Sequence, residues 1–358
     1  MEQKIFSLIA GAILLIVAFY YATIGEKKRK IRFLGKNVVT YLSSACLLLA
    51  STLSLSSCSN NNKSQNTSDG DELRGRISLS GAFALYPLAV KWAEDFQTLH
   101  PGVKIEVDGG GAGKGMTDVL AGQVEFGMVS REISPEEAAK GAVGFPVAKD
   151  AVVPTINEKN PLYAQFVEHG ITQQEAQDIW INGEIKTWGQ LLGTDDNSAI
   201  VVFTRSDACG AAEAFAKWLG KKQEDLLGEG VNGDPGVATA VSNNPLAIGL
   251  NNIGYAYDNT TLKPLDGIRV LPVDGNGKID PEEDFYATKS ELTKAIAEGR
   301  YPSPPARDLY LVTKGVPTDP LVIEFLKYVL TDGQQINAPV GYIEIPQEKL
   351  DAALEKLK

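Results

Sequence analysis

Histidine is almost missing from this chain. His100 and His169 are the only two among 358 residues, so a hydrolase that needs an imidazole base has just these to draw on. Cysteine is nearly as scarce, at Cys46, Cys58 and Cys209. Only Cys209 falls beyond the N-terminal region, and one thiol cannot form an internal disulfide. Positive charge is in deficit. The formal net charge is −11, and the N-terminal cluster Lys27, Lys28, Arg29, Lys30, Arg32 and Lys36 leaves the chain beyond it more acidic still. Such a chain has no general electrostatic footprint for nucleic acid. It repels anions at long range, so any anion it binds must be held by local groups. No short internal repeat is present. What remains is an ordinary globular composition, 44% hydrophobic and 22% charged, long enough for about two domains.

Two apolar runs open the chain. Ile5–Ile24 is nearly uncharged and about long enough to span a bilayer. It is either an overextended start or an extra anchor. The basic cluster follows, then VVTYLSSACLLLASTLSLSSC, ending at Cys58. A basic stretch, an apolar stretch and small residues in that order make a secretory signal. Leu55-Ser56-Ser57-Cys58 resembles the bacterial lipobox, which implies cleavage before Cys58 and a lipid on its sulfur. Cys46 is a weaker candidate because Ser43 stands three residues before it. The polar stretch SNNNKSQNTSDGDE reads as a flexible tether. The chain thus divides into an apolar segment with lipoprotein signal (1–57), a tether (58–73) and a folded part from 74 onward.

The folded part alternates. RISLSGAF and VKIEVDG have strand alternation, and LAVKWAEDFQTLH between them keeps a 3.6-residue apolar face through Leu88, Trp92, Phe96 and Leu99. Pro87 suits a first helical turn, and Pro101-Gly102 ends the helix. MTDVLAGQ reads as a short helix and VEFGMVS as a strand. Strand, helix, strand, helix, strand predicts an α/β fold with a parallel sheet and crossover helices. Further on, DAVVPTIN, AIVVFTR and DLYLVTK read as strands, as does the neighbourhood of Leu265–Val273. TQQEAQDIWIN, CGAAEAFAKWLG, ELTKAIAEG and DPLVIEFLKYVLTDGQQI read as helices.

Residues 109–115, GGGAGKG, hold five glycines. Glycine loses more backbone entropy on folding than any other residue, so this density means that something must come close to bare backbone. Two other turns share the pattern of strand end, small residues and helix start: Ser80-Gly81-Ala82-Phe83-Ala84 and Thr204-Arg205-Ser206-Asp207-Ala208-Cys209-Gly210-Ala211. A helix start exposes about four unpaired N–H groups and roughly half a positive charge. Small residues let an anion reach them, and ligands of open α/β sheets bind outside the carboxyl ends of the strands. Three such turns, two with a cation (Lys114, Arg205), predict a small-oxyanion site.

SGAFALYPLAVKWAEDF, GGGAGKGMTDVLAGQVEFGMVSREI, FPVAKDAVVPTINEKNPL, TRSDACGAAEAFAKWLG and YPSPPARDLYLVTK resemble the phosphate-binding family of periplasmic substrate-binding proteins. The resemblance spans essentially Arg74 to the C-terminus. It implies a two-lobed periplasmic-binding-protein fold with two hinge-crossing strands, lobe one at 74–153 and 270–358 and lobe two at 154–269. It also implies a monomer that clamps inorganic phosphate between lobes for an ABC importer permease, outside the cytoplasm, lipid-anchored in the cell envelope, without catalysis or cofactor. Carried over by position, the phosphate contacts fall on Ala82, Phe83 and Ala84, on Gly113 and Lys114, on Ser130 and Arg131, and on Arg205, Asp207, Cys209, Gly210 and Ala211. Arg205 should fork onto phosphate oxygens, so Arg205→Ala should abolish binding with little change in the empty protein's thermal transition.

Several positions depart from the family. Phe83 stands where a threonine is usual, Ala112 or Gly113 where a serine is usual, and Cys209-Gly210-Ala211 where serine-glycine-threonine is usual. The family's aspartate falls near Ser130, Arg131 and Glu132. The site is then either a phosphate site leaning on cations and backbone, or one for another oxyanion or an organic phosphate. Asp207 or Glu132 would accept the proton of hydrogen phosphate, which sulfate lacks.

Two readings of other classes stay open. Cys209 at a helix start has the placement of a nucleophile in a cysteine-dependent hydrolase, though a small buried thiol fits as well. DGNGKIDPEED resembles an EF-hand loop, with Asp274, Asn276, Asp280 and Glu283 at ligand positions but Pro272 at the first. An Asx-rich turn accounts for it equally, and otherwise no metal is expected. Tyr255, Tyr257, Tyr301 and Tyr310 should line core or cleft.

Overall fold

The computed structural model describes residues 73–274 and 279–358. The apolar segment, the lipid-attachment reading at Cys58, the tether up to residue 72 and Asn276 lie outside the described residues.

Strand β1 (Gly75–Gly81) buries Ile77 and Leu79 on one side of its pleat. Helix α1 (Tyr86–Leu99) carries Pro87 in its first turn and buries Leu88, Trp92 and Phe96, one per turn along a single stripe. Then come β2 (Val103–Gly109), α2 (Ala112–Ala121), β3 (Phe126–Val129) and α3 (Pro135–Ala139), the last held by a Ser134–Glu137 capping box. Helix α2 starts at Ala112, four residues before the expected Met116, so the second half of the glycine run is helical. The chain continues with β4 (Ala142–Asn157), α4 (Tyr163–His169), β5 (Ile171–Thr172), α5 (Gln173–Trp180) and α6 (Trp188–Leu192). Next are β6 (Val201–Arg205), α7 (Gly210–Trp218), β7 (Glu229–Val231), α8 (Gly233–Asn243) and β8 (Ala247–Asn252). The last elements are β9 (Ile268–Val270), β10 (Val273–Asp274), α9 (Lys289–Ala297), β11 (Ala306–Lys314), α10 (Pro320–Leu330) and α11 (Gln347–Glu355).

Nine strands form one sheet in the order β2-β1-β3-β11-β4-β8-β6-β7, with β9 also on β4, while β5 and β10 pair in parallel as a separate two-stranded sheet. At each end the pairs are parallel: β1 with β2 and β3, and β6 with β7 and β8. In the middle β11 and β4 run antiparallel to each other and to β3 and β8. The α/β expectation is met, with helical crossovers at both parallel ends.

Two cores flank this middle. The first gathers Ile77, Trp92, Phe96, Phe126, Leu311 and Phe325. The second gathers Phe166, Trp180, Trp188, Phe215, Tyr257 and Leu292. Strand β4 belongs to both, with Phe145, Val147 and Ala148 in the first and Ala151, Val152 and Val153 in the second. Strand β11 does the same in reverse, with Ala306 in the second core and Leu309 in the first. Phe285, Tyr286, Leu292 and Tyr301 also pack in the second core. No described helix is long and apolar enough to cross a membrane.

Candidate functional site

All three small-residue turns follow the carboxyl ends of parallel strands, after β1, β2 and β6, and they touch one another. The N–H groups of Gly110 and Gly111 donate to the Gly81 carbonyl at 2.9 and 3.0 Å. The Gly113 N–H donates to the Ala208 carbonyl at 3.1 Å, which joins the second turn to the third. Gly111 sits at φ +87°, and a Cβ there would lie 2.7 Å from Asp207 Oδ2. Gly210 lies so close to Ser130 that a Cβ would come within 2.2 Å of its carbonyl oxygen. The glycines therefore bring elements of the two cores into backbone contact, which is a stricter need than ligand access alone.

At this junction the Arg205 side chain is 0% exposed. Its Nε and Nη2 fork onto Asp207 at 2.8 and 2.6 Å, and Nη1 donates to Asp234 Oδ2 at 2.5 Å. A guanidinium carries five N–H donors, so two are uncommitted to these carboxylates. Burial opposes its charge, but Asp234 and Asp207 outweigh burial and raise its pKa. Burial alone would raise Asp207, yet Arg205 and the Gly233 N–H hold its carboxyl below the usual range. An incoming anion thus meets a positive charge that two carboxylates already outweigh. Attraction must come from spare guanidinium donors and from N–H groups at helix starts. Gly210 and Ala211 open α7 and offer two of these. Ala82 does not, because its N–H donates to the Met128 carbonyl at 2.8 Å.

Phe83, where a hydroxyl was usual, spans the junction. Its ring lies 5.8 Å from the Arg205 guanidinium carbon and 6.5 Å, edge to face, from Tyr255. It also closes on Gly109 and Gly233. Ala84 is buried beside it and takes the Tyr342 hydroxyl on its carbonyl.

The other two cations face elsewhere. Lys114 Nζ donates to Ser80 Oγ, Asp108 and Asp118 at 2.6, 2.9 and 2.8 Å. Arg131 forks onto Glu137 at 2.8 and 2.7 Å and lies 3.1 Å from Glu213 on α7. Glu132 pairs with Lys217 at 3.5 Å. A crevice of about 650 Å³ opens between these segments, lined by Gly113, Arg131, Cys209, Glu213, Lys217 and Gln223 among others. A larger hollow of about 750 Å³, at Tyr163, Lys263, Arg269 and Tyr286, shares no residue with the turns.

Cys209 caps α7, its Sγ accepting from the Ala212 N–H at 3.4 Å. It is buried, and burial pushes its thiol up to about 12. Neither imidazole serves it: His169 bonds Glu175 and His100 packs on Phe96. Of the EF-hand-like set, Asp274 is buried, and the Asp280 N–H donates to Glu283 at 3.1 Å. Among the described residues no three His, Cys, Asp or Glu are grouped to hold a metal ion. Tyr257 and Tyr301 are second-core residues bonded to the carbonyls of Tyr286 and Val152. Tyr310 packs on the first core.

Sequence reasoning passed over Asp150, Asp234, Asn252 and Arg307. Asp234 is 1% exposed and accepts from Arg205 and from the Asn252 N–H at 2.9 Å. Arg307 donates to the Ser130 carbonyl at 2.9 Å and to Asn252 Oδ1. Asp150, a lone acid inside AKDAVVPTI, was the visible signal, since an unpaired charge in a buried strand demands a partner.

The sequence profile described as PBP superfamily domain matches residues 63–333. The phosphate-binding protein PstS of Bacillus subtilis (strain 168) is 27% identical, over 88% of this chain and 96% of that one. The phosphate-binding protein PstS of Staphylococcus epidermidis (strain RP62A) is 26% identical, over 87% and 91%. Among solved structures, a putative phosphate ABC transporter substrate-binding protein with bound phosphate from Clostridium perfringens matches with a TM-score of 0.63 at 26% identity, over 76% of this chain and all of that one.

Proposed function

The chain belongs to the PBP superfamily, and on that premise we propose that it binds inorganic phosphate between its two cores and delivers it to an ABC importer. The observation that carries the reading is the meeting of three strand-end turns, from both cores, around the buried Arg205 guanidinium. Phosphate takes the spare Arg205 donors and the N–H groups of Gly210 and Ala211. Asp207 accepts the proton that hydrogen phosphate carries and sulfate lacks, so sulfate would set an unprotonated oxygen against the carboxylate, acceptor facing acceptor, at heavy cost. Lys114 and Arg131, committed to carboxylates, act at longer range.

The lobes turn on β4 and β11, and the packing of Phe285, Leu292 and Tyr301 favours a second lobe running to about residue 306. Closing these lobes on the anion is the functional motion. A lipid on Cys58 holds the protein, a monomer, on the extracytoplasmic face. The chain is not an enzyme on this reading: the Cys209 thiol is buried and bonded as a helix cap.

The test is a thermal-shift panel on the full chain with phosphate, arsenate, sulfate and glycerol phosphate. A ligand at a hundred times its Kd adds about 2.7 kcal/mol to stability. Phosphate should raise the transition and sulfate should not. A shift with glycerol phosphate alone would move the assignment to organic phosphates.

A further inference from the structure

The two strands that pass between the cores carry opposite charges at the same register position. Arg307 on β11 pairs with Asp150 on β4. Asp150 is 1% exposed and lies between Ala148 of the first core and Ala151 of the second. Arg307 lies between Ala306 of the second core and Leu309 of the first. Directly opposite residues of an antiparallel pair place their side chains on one face, and here the two approach to 3.9 Å between Nη2 and Oδ2.

The donors of Arg307 go elsewhere. Nε donates to the carbonyl of Ser130, at the end of β3 and against Gly210 of α7. Nη2 donates to Asn252 Oδ1, at the end of β8. The Asn252 N–H donates to Asp234 Oδ1, and the other oxygen of Asp234 accepts from Arg205. A continuous polar chain therefore runs from the crossing strands to the guanidinium at the centre of the three turns. Neither oxygen of Asp150, meanwhile, meets a donor in hydrogen-bond geometry among the described residues, although the Ala151 N–H lies near enough to favour its charged form. Orphaned buried carboxylate oxygens call for a reason. The groups that act on Asp150 are Arg307 of β11, Lys289 of α9 and Asp234 of α8, with Tyr255, Tyr301 and Tyr342 around it.

We propose that Arg307 is a positioning residue for the anion site, holding Asn252 and through it Asp234 and Arg205, and that Asp150 opposite it weakens that hold when ionised. The inference rests on the phosphate reading given above. Arg307 reaches Arg205 only through Asn252 and Asp234. Ionised Asp150 draws Arg307 toward β4 and adds negative charge behind the site. Protonated, it leaves Arg307 to Ser130 and Asn252.

The experiment is calorimetric titration of phosphate into the full chain and into Arg307→Lys, Asn252→Ser and Asp150→Asn, from pH 5 to pH 8. Lysine keeps the charge but cannot reach Ser130 and Asn252 together, so Arg307→Lys should bind at least tenfold more weakly with a transition close to the parent's. Asn252→Ser shortens the side chain so that its oxygen falls short of Arg307 and keeps the backbone donor to Asp234, and it should show the same loss should the lysine variant fold poorly. Asp150→Asn should match the parent at pH 5 and bind several-fold tighter at pH 8. Comparison at each pH cancels the ligand's own titration. Parent-like affinity in Arg307→Lys and Asn252→Ser, or a pH-independent ratio for Asp150→Asn, would overturn the proposal while leaving the phosphate reading intact. A parent that gives no phosphate heat overturns both.

Discussion

Asp150 and Arg307 face each other across β4 and β11 at the point where both strands leave one core for the other. The pair is close enough for attraction but has no hydrogen bond between its members, because Arg307 turns Nε to Ser130, Nη2 to Asn252 and Nη1 to the Pro305 carbonyl. Burial therefore dominates, and it lifts the Asp150 carboxyl to about 6, against the pull of Arg307, the Ala151 N–H and Lys289. Lys289 shows the mirror effect: burial pushes it down to about 8, although it donates to Asn259 and to the Val340 carbonyl.

A stability profile follows from the sign of that shift. In the unfolded chain an aspartate titrates near 3.9, below its folded value, so between these values the folded state holds more protons. Stability then falls as pH rises through the window from about 4 to about 6. Two pKa units correspond to about 3 kcal/mol at most. In Asp150→Asn this loss is absent. Denaturant titrations without phosphate should find the variant equal to the parent at about pH 4 and more stable above about pH 6. Parallel profiles for the two proteins would show that Asp150 is not the group responsible.

Arg205 gives a different expectation once its surroundings are known. Its side chain is fully buried between Asp207 and Asp234, so Arg205→Ala strands two carboxylates, one of them itself buried. Removing one partner of a buried ion pair costs about 3–5 kcal/mol. The empty variant should therefore melt roughly 10 °C lower, contrary to the small change expected from the sequence. Arg205→Lys is the cleaner probe of binding, since it retains a charge for Asp234 while losing the fork onto Asp207. Calorimetry should detect no phosphate binding to either variant. Parent-like affinity in Arg205→Lys would remove the guanidinium from the ligand shell.

The cross-core ion pairs at the crevice rim should matter little. Arg131 meets Glu213, and Glu132 meets Lys217, the two partners one turn apart on α7. Glu132 is 82% exposed in its side chain, and such pairs contribute about 0–1 kcal/mol. A double-mutant cycle of Glu132→Gln and Lys217→Gln should give a coupling below about 0.5 kcal/mol, vanishing in about 0.5 M salt. A phosphate dissociation rate that rises more than about fivefold, or 1 kcal/mol, in the double variant would instead make the rim a clasp.

Local pattern was enough for the parallel end of the first half, because Ile77, Leu79, Trp92 and Phe96 obey simple periods there. It was not enough for β4. The sequence pattern placed a strand only over DAVVPTIN, from Asp150, whereas β4 begins eight residues earlier at Ala142 and runs through Pro146. Pro146 sits beside a bulge, where Val147 is the extra residue between the Leu309 and Tyr310 pairings, and a bulge tolerates a residue that cannot donate to the ladder. Helix α8 hid behind Gly233, Pro235 and Gly236, although Val237, Ala238 and Val241 make its buried face. The candidate site was legible wherever a turn announced itself by small residues. Asp207 was legible in this way, but the second carboxylate on Arg205 and its supports were not, because Asp234, Asn252 and Arg307 acquire meaning only from tertiary proximity.

Cys209 separates the binding reading from the hydrolase reading by experiment. Burial raises its thiol first, the nearby Asp207 and Asp234 add to the rise, and Arg205 only partly offsets it, leaving it at about 12. Thiolate is the reactive form, so at pH 8 iodoacetamide should leave the Cys209 peptide unmodified in the folded protein and label it fully in urea. Phosphate should not change that result. Cys209→Ser substitutes a stronger hydrogen-bond acceptor at the cap that receives the Ala212 N–H, and good caps contribute about 0.5–2 kcal/mol. The serine variant should bind phosphate at least as tightly as the parent and melt no lower. Rapid labelling of the native thiol, slowed by an acyl substrate, would instead identify Cys209 as a nucleophile.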